Sequence, residues 1–188
     1  MKRKYSGIIC AALLFSLYSC QSESERMAAR IKEAENKIEN DSTNMLNRPL
    51  AEEQLKAYSE FTDKFPDDPR SEHFLMSAGR LAYRLGKTPA ALELYHRFYE
   101  KYPGSSDAPT ALFLQGFMYD DILKNYEKAK ELYTLFLSKY PNHQFAESAK
   151  FSLDNLGKSP DELFKMIEEK NKVLGDSANK ISTVPAAQ

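Results

Sequence analysis

The sequence predicts an all-α fold, a solenoid of helical hairpins with a period of 37–38 residues. The segment FTDKFP at 61–66 recurs as FYEKYP at 98–103 and FLSKYP at 136–141, which places Pro66, Pro103 and Pro141 at spacings of 37 and 38. Between those prolines, Leu85 to Tyr95 aligns with Leu123 to Tyr133, and Gly79 and Gly116 each stand 13 residues after a repeat proline. Apolar residues within the repeats recur in steps of three and four, as on a helix with one buried face, and no stretch of the body sustains strand alternation.

Taken in chain order, residues 1–19 read as a cleavable leader. Lys2, Arg3 and Lys4 precede a mostly apolar run from Gly7 to Leu17. That run is shorter than the roughly 20 residues needed to cross a bilayer and has the length of a secretory signal. The run ends in Leu17, Tyr18, Ser19 and Cys20, which resembles the lipobox of bacterial lipoproteins. The resemblance implies cleavage before Cys20, a diacylglycerol on its thiol and an acyl chain such as palmitate on its new amine. Residues 20–23 then form the lipidated tether. An ordinary secretory leader with an incidental cysteine is the other reading.

Because Cys10, the only other cysteine, lies inside the leader, the mature chain keeps no free thiol for catalysis, metal or redox chemistry. Loss of Lys2, Arg3 and Lys4 also makes the formal charge of −1 more negative by three. A basic face for nucleic acid is therefore not expected. Gln21 after the cysteine, by resemblance to lipoprotein sorting rules, implies an outer-membrane anchor.

A helix is expected over 24–48, carrying Met27, Ile31, Ala34 and Ile38 at three–four spacing. It reads as a cap on the first repeat, with a short coiled coil as the alternative. The repeat region covers 49–170. One helix spans 90–102 with the stripe Ala91, Leu94, Tyr95 and Phe98, and a second repeats it as Ala129, Leu132, Tyr133 and Phe136. Thr88 is expected to cap the first of these, with Pro89 at the first helical position. Pro66, Pro103 and Pro141 stop the helices that precede them. Ser159 and Glu162 have capping-box spacing and open a last helix to about 170. Residues 171–188 read as a disordered tail.

The alanine–aromatic–proline spacing of Ala91, Tyr95 and Pro103, repeated as Ala129, Tyr133 and Pro141, resembles the tetratricopeptide repeat (TPR). Gly79 and Gly116 stand where that repeat has its small residue in the first helix; Tyr119 matches its aromatic and Ala82 replaces it. The long period and the Tyr-Pro ending look like the TPR lipoproteins of the bacterial envelope, of the outer-membrane assembly or Tol–Pal coordinator type. The resemblance implies a scaffold that binds another envelope protein through a concave face lined by the first helix of each unit. That register selects His73, Met76, Arg80, Tyr83 and Arg84 in one unit. Thr110, Phe113, Phe117, Asp120 and Asp121 follow in the next, and Phe151 and Asn155 in a degenerate third. The alternative for the aromatics is core, and for the charges a solvated face.

No catalytic constellation emerges. His73, His96 and His143 are scattered without a second His or Cys at ligand spacing, so no metal is expected. Asp120 and Asp121 are adjacent and point about 100° apart on a helix, which suits helix-end charge better than acid–base chemistry. No P-loop, nucleophile elbow or dinucleotide fingerprint is present, and neither a cofactor nor a small-molecule substrate is expected. The expected function is a lipid-anchored, non-enzymatic interaction scaffold facing the periplasm, in outer-membrane or cell-wall assembly. A surface-exposed accessory lipoprotein for nutrient capture is the second hypothesis.

Overall fold

The computed structural model describes residues 23–38 and 47–182. The expected leader, Cys20 and the final residues 183–188 of the expected tail lie outside the described residues. Helices α1 (residues 23–38), α2 (Arg48–Lys64), α3 (Ser71–Arg84), α4 (Thr88–Lys101) and the start of α5 (Ala108–Phe117) form one compact unit, which ends at Gln115. The second unit begins at Gly116 and holds a π-helical turn (Met118–Ile122), α6 (Tyr126–Lys139), α7 (Ala146–Asp154) and α8 (Pro160–Ser182). Among the described residues there is no strand, and no helix is long and apolar enough to cross a membrane.

In the first unit α3 packs against both α2 and α4. Phe61, Phe74, Leu75, Ala78, Tyr95 and Phe98 are buried between them, and the Phe61 and Phe74 rings meet edge to face with centroids 4.9 Å apart. All four residues of the predicted α4 stripe are buried. Helix α1 is the predicted cap: Ile31 is 1% exposed, its carbonyl accepts a hydrogen bond from Gln54 Nε2 at 3.3 Å, and Glu35 accepts one from the Tyr58 hydroxyl at 2.6 Å. The described part of this helix is 23–38, and α2 opens at Arg48, with Asn47 as its N-cap accepting from the Leu50 N–H.

The loop from α2 to α3 is held by Arg70, which grips Asp68 with two hydrogen bonds of 2.7 and 2.6 Å and reaches Ser24 of α1 at 3.1 Å. The guanidinium holds the Asp68 carboxyl down at about 2. A carboxylate with a lowered folded-state pKa contributes stability above its unfolded value. That contribution disappears as pH falls from about 4 towards 2. With Arg70 partly in water, it amounts to about 1 kcal/mol. Asp68→Asn should therefore lower the urea midpoint at pH 7 and match the parent near pH 2; an equal deficit at both pH values would contradict the pairing.

Prolines end α2, α4 and α6 as expected, each following a C-cap residue: Phe65, Tyr102 and Tyr140. The start of α4 differs slightly. Thr88 is its first residue rather than its cap, Lys87 takes the cap position without a side-chain bond, and Pro89 sits in the first turn. Helix α8 has the predicted capping box, with Glu162 accepting from the Ser159 N–H at 2.7 Å and donating its own N–H to Ser159 Oγ at 3.3 Å. It continues past the expected end at 170 to Ser182.

The π turn explains why the two repeat periods differ. Gly79 and Gly116 are 37 residues apart, whereas Leu85 and Leu123 are 38 apart, so one extra residue lies between Gly116 and Leu123. The Leu85 N–H closes onto Leu81 O, four residues back, while the Leu123 N–H closes onto Met118 O, five back. One inserted residue thus widens a single turn and leaves the helices on either side in register.

Each hairpin corner is a helix C-terminus closed by a left-handed residue. In the first, the Gly86 N–H bonds Tyr83 O and the Lys87 N–H bonds Ala82 O, with Gly86 at φ +71°. This is the paired bonding that satisfies the last carbonyls of a helix. Lys124 takes the left-handed position in the second hairpin (φ 53°), and Gly157 takes it in the third (φ +75°).

Candidate functional site

Two of the predicted small residues have a packing role that can be measured. A Cβ placed on Gly79 would lie 2.8 Å from the Tyr95 ring, and one on Gly116 would lie 3.0 Å from the Tyr133 ring. Each ring therefore packs closely against a backbone position that has no side chain. Both rings are buried, and burial raises both phenols to about 12. In the first unit, this pairing fixes α3 on α4 and so sets which residues of α3 turn outward.

On α3, His73, Arg80 and Arg84 follow at steps of seven and four and are exposed, with Tyr83 beside them at 37% exposure. Met76, which the register also selected, is 1% exposed and belongs to the core; its step from His73 turns it inward onto the packed face. His73 Nε2 stands 3.8 Å from Glu35 Oε1 of α1, and Arg80 Nη2 donates to Asp107 Oδ1 at 3.0 Å. Both partners escaped the sequence reading. Glu35 and Asp107 are remote in sequence from the residues they meet, and no local pattern marks them. Tyr83 and Arg84 thus form the outward part of a cationic, aromatic ridge. Thr110 and Phe113 on α5 are half-buried.

In the second unit, Phe117 is half-buried at the entry to the π turn. Inside the turn, Asp120 is half-buried, desolvation raises its carboxyl, and it accepts from the Tyr133 hydroxyl at 3.4 Å. Asp121 is exposed, 3.6 Å from Lys124 Nζ. The two carboxylates serve different partners, which is no acid–base pair. Phe151 is 57% exposed on α7. Asn155 is the C-cap of that helix: its Nδ2 donates to Phe151 O at 2.7 Å and its Oδ1 accepts from Lys158 at 3.0 Å. Both bonds close the C-terminal end of α7.

The chain places His143 in the turn before α7, where its Nδ1 accepts from the Phe145 N–H at 3.2 Å. Among the described residues, no three His, Cys, Asp or Glu side chains gather as they would around a metal ion.

The pair α3 and α4, closed by a left-handed corner and locked by Gly79 against Tyr95, is the unit of a helical-repeat protein. Residues 52–106 and residues 110–143 each match a family model described as tetratricopeptide repeat, so the chain carries tetratricopeptide repeats. Both models describe a repeat and neither indicates a catalytic family. No curated protein matches the chain.

Proposed function

We propose that this protein is a lipid-anchored scaffold of the bacterial envelope that holds another envelope protein against the outward face of α3. The TPR repeats support a protein–protein interaction scaffold. The observation that carries the choice of face is the ridge of Tyr83 and Arg84, exposed above a helix whose other side is packed throughout. An aromatic ring next to a guanidinium supplies the low-entropy contact area and planar charged donor that recur at the centres of interfaces. The ridge carries Arg80 and Arg84, so it suits a segment with carboxylates, extended or helical.

The envelope location rests on the sequence from Lys2 to Gln21. The anchor would sit at Cys20, in the outer membrane and facing the periplasm, and the task would be outer-membrane or cell-wall assembly. Surface exposure with a role in nutrient capture is the alternative. Protease shaving of intact cells separates the two, because the scaffold reading requires the chain to stay intact.

One experiment tests face and anchor together. Tyr83→Ala with Arg84→Glu should lose the co-purifying partner while the helical circular dichroism stays unchanged, because both side chains are exposed. Cys20→Ser should leave the membrane pellet. Partner retention by the double variant would move the face elsewhere, and a pelleted Cys20→Ser protein would remove the lipid anchor.

A further inference from the structure

The first described turn of α1, close in sequence to Cys20, is fastened to one end of the first unit. Glu23 accepts from Lys64 Nζ, in the last turn of α2, at 2.5 Å. Ser24 is 4% exposed and accepts from Arg70 Nη2, in the α2–α3 loop, at 3.1 Å. Further along, the Ile31 carbonyl is held by Gln54. The start of α1 is therefore part of the packed unit. The α4–α5 loop lies at the same end: the Tyr102 hydroxyl donates to Pro66 O at 3.4 Å, and Lys101 Nζ donates to the same carbonyl. The corner at Gly86 closes the opposite end of α3. The rise along α3 from Ser71 to Arg84 sets the Tyr83 and Arg84 ridge about 20 Å from the loop end.

The chain from Cys20 to Glu23 is three residues long and spans at most about 11 Å. An acylated Cys20 sits at the headgroups, so the start of α1 stays within that distance of them. We propose that the α2–α3 and α4–α5 loops face the lipid surface, and that the ridge on α3 stands at the far end of the unit. The partner is then met about 20 Å beyond the loops instead of at the headgroups. This deepens the proposed function and rests on its lipid anchor at Cys20.

The chemistry of the two possible contact faces favours this orientation. The loop end presents Pro66, Pro69, Pro103 and Gly104 as exposed residues. Its cations each stand against an acid: Lys64 against Glu23, Arg70 against Asp68 and Lys101 against Asp67. Such a surface meets zwitterionic headgroups with its charges already paired. A unit lying on the side of α1 would instead press the exposed Arg26, Arg30, Lys32 and Glu33 against lipid, at a cost in lost hydration. The short tether sets the orientation, so screening by salt should leave it unchanged.

The test uses the mature chain, purified from membranes and reconstituted in phosphatidylcholine vesicles that contain a nitroxide-headgroup lipid. Cys10 leaves with the leader and Cys20 is acylated, so a single introduced cysteine carries the fluorophore. Asp67→Cys and Ser106→Cys place it in the two loops, and Lys87→Cys at the opposite corner; all three positions are exposed. Fluorescence should be lost to the nitroxide at Asp67→Cys and Ser106→Cys and retained at Lys87→Cys, with the same pattern in high salt. Mass spectrometry of the N-terminal peptide is read on the same samples. An acylated chain with any other quenching pattern, such as equal loss at all three positions, overturns the orientation alone. A mature chain whose N-terminal peptide carries no acyl group overturns the anchor and the orientation with it.

Discussion

Tyr95→Ala should destabilise the first unit by about 3–5 kcal/mol, the usual cost of deleting a fully buried aromatic ring. Tyr95 is 1% exposed, and its ring carbons are the three atoms nearest to a Cβ built on Gly79. Chemical denaturation followed by circular dichroism should show the midpoint fall, with loss of helix at lower denaturant. Tyr95→Phe should keep most of the stability, since the ring makes the packing contact. A Tyr95→Ala variant as stable as the parent would show that the ring does not hold α3 on α4.

Gly79→Ala is the complementary change and should cost about 1–3 kcal/mol, the range for overfilling a packed core. The new methyl would stand 2.8 Å from a ring carbon of Tyr95, closer than real Cβ contacts, and the ring is enclosed on its other sides. Alanine is otherwise the better helix former by nearly 1 kcal/mol, so a net loss of stability isolates the collision. The decisive form is a double-mutant cycle. In the Tyr95→Ala background the added methyl has room, and Gly79→Ala should become neutral or stabilising. If the two changes add independently, the glycine has another purpose. Gly116→Ala, with 3.0 Å to the Tyr133 ring, should follow the same pattern with a smaller amplitude.

Much of this architecture was legible because it repeats. The recurrence of FTDKFP, FYEKYP and FLSKYP marked the helix ends, and the three–four stripe of Ala91, Leu94, Tyr95 and Phe98 marked the buried face of α4. Local chemistry was readable for the same reason: Ser159 and Glu162 form their capping box within one turn of helix. The site was less legible. Groove assignment by register treats every outward step of a first helix alike, yet Met76 is turned into the core and Asn155 closes the end of α7. The contacts that restrain His73 and Arg80 come from Glu35 and Asp107, which approach only through tertiary packing. The inserted residue of the second repeat was visible as a change of period from 37 to 38. That it becomes a π turn, with Asp120 drawn towards Tyr133, depends on how the backbone hydrogen bonds close.

The most direct test of the interaction-scaffold account is site-specific photocrosslinking in the native cell. A photoreactive residue replacing Arg84 on the exposed face of α3 should give one discrete protein adduct, identifiable by mass spectrometry. The same residue replacing Glu100, exposed on α4, should give none of that adduct. Equal labelling from both positions, or no adduct from position 84, would contradict a partner-binding face on α3.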